Sequence, residues 1–197
     1  MKQFFSENSY YIVRCLINQI VMALFGVMVA FATLNNDPIL LVGGILAAGL
    51  YLVLFYFMFW EVGGKDRIAE DAGRRTPTPL RAVLVSLIAN VPNLIIAALL
   101  VISGFNGQAN ESWGNTYAVC TVLARGLQGM YLGIISFTEH RMALALGVEN
   151  YVLPTFIFFL TTIPAVVSCW LGYFLGHRNF RIAGIFGIKP NTRDQTK

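Results

Sequence analysis

"YAVCTVLARGLQGMYLGIISF", residues 117–137, is long enough to cross a membrane, yet it carries Arg125 and Gln128 near its middle. Whether it crosses decides the fold, because everything after it changes sides with the answer. An arginine at the centre of a spanning helix costs about 2.5 to 3.5 kcal/mol on an insertion scale, so hydropathy alone leaves the stretch undecided.

The rest of the chain sets the frame. Of 197 residues, 56% are hydrophobic and only 12% charged, too little charge to cover a soluble globule of this size. The apolar residues come in runs of the roughly 20 residues that cross about 30 Å of hydrocarbon. Four runs are clear: residues 10–34, 38–60, 79–104 and 151–176, with Ser9 and Pro79 placed to start the first and third. Lys2 and Ala30-Phe31-Ala32 imitate a cleaved signal. The length of the first run and its Asn18 and Gln19 favour a retained span instead.

Cation placement decides the doubtful stretch. If 117–137 does not cross, Lys2 and Arg14, the 61–81 cations (Lys65, Arg67, Arg74, Arg75, Arg81) and the tail cations (Arg178, Arg181, Lys189, Arg193, Lys197) share one side, and only Arg125 and Arg141 are left over. The positive-inside rule makes that side the cytoplasm. A five-helix alternative moves either the tail or the 61–81 loop outside.

The expected fold is therefore all-α, a single polytopic membrane helix bundle of four full transmembrane helices. Residues 117–150 add an outer re-entrant or interfacial segment, 61–78 a cytoplasmic loop and 177–197 a basic cytoplasmic tail. The expected location is the cell's inner (cytoplasmic) membrane, with both termini in the cytoplasm. The cations flank apolar runs instead of lining a polar face, which argues against nucleic acid as a partner. Packing is expected along small-residue stripes: Asn18, Met22, Gly26 and Ala30; Gly43-xxx-Ala47 and Gly44-xxx-Ala48; Ser168, Gly172 and Gly176. Such stripes also suit a membrane-protein partner or a homo-oligomer.

Three places carry candidate chemistry. In "SLIANVPNLIIAA", Ser86, Asn90, Asn93 and Ala97 share one helical face, and Pro92 removes the donor that Ile88 O would receive. Pro164 does the same beside Thr161 and Thr162. Asn90, Asn93, Thr161 and Thr162, joined by Gln19, Arg125 and Gln128, form a candidate midplane site for a small solute between broken helices. The competing reading is hydrogen bonding across helices or back to local carbonyls, worth about 0.6 kcal/mol each on average. In "FTEHRMALALGVEN", Glu139 beside His140 offers a general base, but lacks metal-ligand or nucleophile spacing.

The third place is the charged stretch. Asp66 as N-cap and Gly73 past the C-terminus frame a short helix over 67–72. Gly63-Gly64-Lys65, with Arg67, Arg74 and Arg75, offers a phosphate nest for anionic headgroups, although four acids offset four cations between Glu61 and Arg75. Cys15, Cys120 and Cys169 are isolated in apolar runs, so no metal or cofactor is expected.

"GGKDRIAEDAGRR" after the second run, "RGLQGMYLG" and the final "LGYFLGHRNFR" together resemble small multi-span bacterial membrane proteins. The resemblance implies a fold and a location, and no activity. The expectation is a non-enzymatic accessory or regulatory subunit of a membrane assembly, binding lipid or partner through its cytoplasmic loop. The alternative is a solute transporter or channel component, and third a membrane enzyme using Glu139 and His140.

Overall fold

The computed structural model describes residues 2–74, 80–106, 111–148 and 152–178. Among them the regular structure is entirely helical. α1 (Lys2–Thr33) and α2 (Asp37–Asp71) form an antiparallel pair joined by a turn. Asn36 caps α2, its Oδ1 accepting from Ile39 N, and Pro38 occupies the first turn, where no donor is needed. α3 (Arg81–Ala89) and α4 (Val91–Asn106) follow, bent by 53° at Asn90. α5 (Glu111–Leu127), a 3₁₀ turn (Gly129–Tyr131) and α6 (Leu132–Leu146) form a second bent unit, its arms at 79°. A short α7 (Ile157–Leu160) leads through Thr161 into α8 (Thr162–His177).

Three stretches, 4–33, 37–71 and 157–177, are long and apolar enough to cross a membrane, and up to five if each bent pair is one span. Their outer faces suit lipid: Ile17, Val21, Leu24, Met28 and Phe31 of α1 and Leu46, Leu50, Val53 and Phe57 of α2 are all exposed.

Several expectations change at the helix ends. Ser9 is not a cap, because α1 already runs through it. The 61–78 loop begins as helix: α2 continues to Asp71, about 52 Å in all, some 20 Å more than the hydrocarbon needs. The charges sustain it, since Lys65 pairs with Glu61 at 2.6 Å and Arg67 with Asp71 at 3.7 Å, each four residues apart. Gly73 ends it as expected, with φ at +68°. The Thr76–Pro79 spacer, Arg75 and the tail beyond Arg178 lie outside the described residues.

Glycines set how closely the helices approach. Ser168 Oγ donates to Leu52 O at 2.6 Å, and a Cβ built on Gly172 or Gly176 would lie 2.3 Å from Tyr56 O or 2.1 Å from Trp60 O. Each pair is offset by the same 116 residues, so α8 runs parallel to α2 in fixed register. The expected Ser168, Gly172, Gly176 stripe is thus the α2–α8 seam.

Gly26 and Gly44, from the other expected stripes, receive the bent unit. Gly129 sits against Ala23 O and Gly26, and Gly133 against Leu40 O and Gly44. Further along α6, His140 Nε2 reaches Asp37 Oδ2 at 3.3 Å. As α6 advances from Gly133 to His140, its partner on α2 retreats from Gly44 to Asp37, so α6 runs back toward the end at which α2 begins. α5 starts at that same end, where the Tyr117 ring packs near Gly104, close to the end of α4.

Candidate functional site

The buried polar residues gather in separate layers, each built where helices meet. At the break between α3 and α4, Gln19 Nε2 donates to Asn90 Oδ1 at 3.2 Å, and Asn93 Nδ2 approaches the same oxygen at 3.4 Å. Asn90 Nδ2 donates to Ser86 O at 2.9 Å, covering a carbonyl at the bend. Ser86, Asn90, Asn93 and Ala97 are all buried, so the expected shared face exists and points inward.

Gln128, Thr161 and Thr162 belong to another layer. Gln128 is buried at the break between α5 and the 3₁₀ turn; its Nε2 donates to Phe158 O at 3.0 Å, and its Oε1 accepts from Thr161 Oγ1. Thr161 and Thr162 also return hydrogen bonds to Phe158 O and Phe159 O, at 2.9 and 2.7 Å. The adjoining Gly129 lies at the level of Ala23 and Gly26 on α1. That is four to seven residues, or about 6 to 10 Å, from Gln19. The seven residues grouped as one midplane site thus divide: Gln19 with Asn90 and Asn93, Gln128 with Thr161, Thr162 onto Phe159 O of α7, and Arg125 elsewhere.

Arg125 stands apart from both. Its Nη2 donates to Glu139 Oε1 and Oε2 at 2.8 and 2.9 Å, and Glu139 Oε1 also accepts from Leu153 N at 3.1 Å. The pair ties α5 to α6 across their bend and fastens the chain leading into α7. It also takes Glu139 away from His140, which pairs with Asp37 instead. The two members of the acid–base candidate therefore serve different partners.

The phosphate nest does not form. Gly63 and Gly64 lie inside α2 with helical amides, and a Cβ on Gly63 would fall 2.2 Å from Tyr173 O, which makes that glycine a packing residue. Lys65 and Arg67 are engaged along the helix, Arg67 also donating to His177 O at 3.2 Å, while Arg74 is exposed. Glu70 Oε2 meets His177 Nε2 at 2.8 Å, a second tie between α2 and α8.

One buried polar cluster among the described residues was not expected at all. Arg81 Nη1 donates to Asp66 Oδ1 and Oδ2 at 2.5 and 2.6 Å, and its Nε donates to Asn8 Oδ1 at 2.6 Å. Tyr173 Oη donates to Asp66 Oδ2 at 3.1 Å, and the guanidinium lies 5.2 Å from the Tyr11 ring centre. The paired side chains are 5% and 4% exposed. Four helices (α1, α2, α3 and α8) meet in this knot. Asp66, read as an N-cap, is instead the anion that keeps Arg81 buried. One sequence signal pointed to it: an arginine in the first turn of a helix opposes the helix dipole and needs an anion nearby.

No family profile, curated protein or solved structure matches the chain.

Proposed function

We propose that the chain is a non-enzymatic accessory or regulatory subunit of a larger assembly in the inner membrane, crossing it four times with both termini in the cytoplasm. α5 and α6 form a re-entrant hairpin from the outer side: both arms meet the Asp37 end of the bundle, and the apex at Gly129 goes no deeper than Ala23 and Gly26. The cation count favours the same arrangement.

The observation that carries the subunit reading is the helical extension of α2, residues 61–71. It stands beyond the hydrocarbon, is fixed by the Asp66–Arg81 knot and the α8 seam, and turns the exposed apolar Ile68 away from the bundle among charged neighbours. A rigid arm with an exposed apolar contact suits a membrane-protein partner. The test has two parts. Single cysteines at Asn115 and His140 should react with an impermeant maleimide from one side, and at Lys65 and Arg178 from the other; Asn115 and His140 reacting from opposite sides would overturn the hairpin. Mild detergent should release a complex larger than the chain that dissociates in I68D, and a wild-type monomer would refute the subunit reading.

The carrier reading keeps one observation, the break at Asn90, where Pro92 cannot donate to Ile88 O and two further amides converge. It requires Asn93→Cys to be water-accessible, and protection from both sides would end it.

A further inference from the structure

Arg14 and Lys65 flank one acid, Glu61, in the groove between α1 and α2. Lys65 Nζ hydrogen-bonds Glu61 Oε1 at 2.6 Å, leaving two of its three donors unused by that carboxylate. Arg14 Nη1 stands 3.9 Å from Glu61 Oε2, an ion pair too long for a hydrogen bond, so its five-donor fork is preplaced and uncommitted to that acid. All three side chains are substantially exposed, at 42%, 63% and 49% for Arg14, Lys65 and Glu61. Two cations against one acid leave the groove net positive.

Depth identifies the surroundings. Arg14 lies 19 residues from Thr33 on α1 and Glu61 lies 24 residues from Asp37 on α2, so the cluster is about 28 to 36 Å from the far end of the bundle. A hydrocarbon core of about 30 Å ends there and the headgroup layer begins. The neighbouring rings fit that layer. Tyr10 is exposed, packs edge-on to Tyr11, and both lie within electrostatic range of Lys65. On the hydrocarbon side, Val13, Ile17 and Phe57 present an exposed apolar surface along which acyl chains can lie.

We propose that Arg14 and Lys65 form a binding site for the phosphate of an anionic phospholipid in the leaflet facing the N-terminus, with the Arg14 fork taking two phosphate oxygens and Lys65 a third. Glu61 sets the spacing of the two cations and tempers the affinity. The site rests on the membrane reading above, and it differs from the 63–75 nest in using a residue of α1.

The experiment reconstitutes the full chain into nanodiscs of mixed phosphatidylcholine and phosphatidylglycerol, then measures the headgroup composition retained on the chain after mild detergent extraction. The retained lipid should be enriched in phosphatidylglycerol about fivefold, as expected for one net charge at the headgroup layer. R14Q/K65Q should abolish the enrichment, E61Q should raise it, and R67Q/R74Q should leave it unchanged. A purely structural role for the triad would not make E61Q move opposite to R14Q/K65Q.

Equal retention of the two lipids, enrichment that persists in R14Q/K65Q, or competition by millimolar inorganic phosphate as strong as by the lipid would each overturn the proposal. A chain that enters the mixed nanodiscs but shows no headgroup preference refutes the lipid site alone. A chain that does not enter them refutes the membrane reading.

Discussion

Replacing Asp66 by asparagine tests whether the bundle depends on the buried knot. The substitution keeps the side chain's volume and its hydrogen bond from Tyr173, but leaves the Arg81 guanidinium, with 5% of its side chain exposed, without an anion. Breaking a buried pair by removing one partner costs about 3 to 5 kcal/mol, mostly the cost of an uncompensated buried charge. For a chain of this size each kcal/mol moves Tm by about 2 to 4 °C, so D66N should lower it by about 6 to 20 °C.

The chain carries its own reporters. Cys15, Cys120 and Cys169 are all buried, so a thiol-reactive fluorogenic dye added in detergent signals unfolding and little else. R81Q should fall by a similar amount, and D66L/R81M should lie closer to wild type than either single variant, because no buried charge is stranded. K65Q, which breaks the exposed pair with Glu61, should leave Tm where it was. The reasoning is refuted if D66N melts within about 2 °C of wild type, or if D66L/R81M melts no higher than either single variant.

Three further outcomes follow from the packing. Gly26→Ala, Gly172→Ala and Gly176→Ala each put a Cβ 2.1 to 2.4 Å from a backbone oxygen of the facing element, and should each cost about 1 to 3 kcal/mol by forcing helices apart. Gly49→Ala and Gly126→Ala, with open space around them, should raise stability by about 0.5 to 1 kcal/mol in the same dye assay. R125Q and E139Q should each lower Tm, with the double little worse than either; additive losses would show that the two do not act as a pair.

The sequence revealed the membrane class and the small-residue seams, because both depend on residue type alone. Runs of about 20 apolar residues admit few other readings, and Gly or Ser at four-residue spacing marks close contact without naming the partner. Which seam meets which was not legible: nothing local says that Gly129 faces Gly26 or that Ser168 faces Leu52. The spacing put Ser86, Asn90, Asn93 and Ala97 on one face, and all four are buried. The division of the amides into separate layers depends on the heights at which Gln19, Asn90 and Gln128 sit on different helices, and no sequence interval encodes that.

The charged stretch shows how local rules failed. Gly63-Gly64-Lys65 reads as a nest and Asp66 as the start of a new helix, since glycine is a poor helix former and aspartate a good cap. Here tertiary contact reverses both preferences: Gly63 is needed for the α8 backbone to approach, and Asp66 is needed inside to neutralise Arg81. The i,i+4 pairs Glu61–Lys65 and Arg67–Asp71, which hold only if the helix continues, were the better signal. Glu139 teaches the same point. Adjacent to His140 in sequence, it was weighed with that neighbour and placed third, because adjacent helical residues point about 100° apart. Arg125, fourteen residues away across a bend, was the half-buried cation that required an acid. In a membrane bundle the first question for any charge drawn out of water is which opposite charge the fold can bring to it, and that accounts for both the buried Asp66–Arg81 pair and the half-buried Glu139–Arg125 pair.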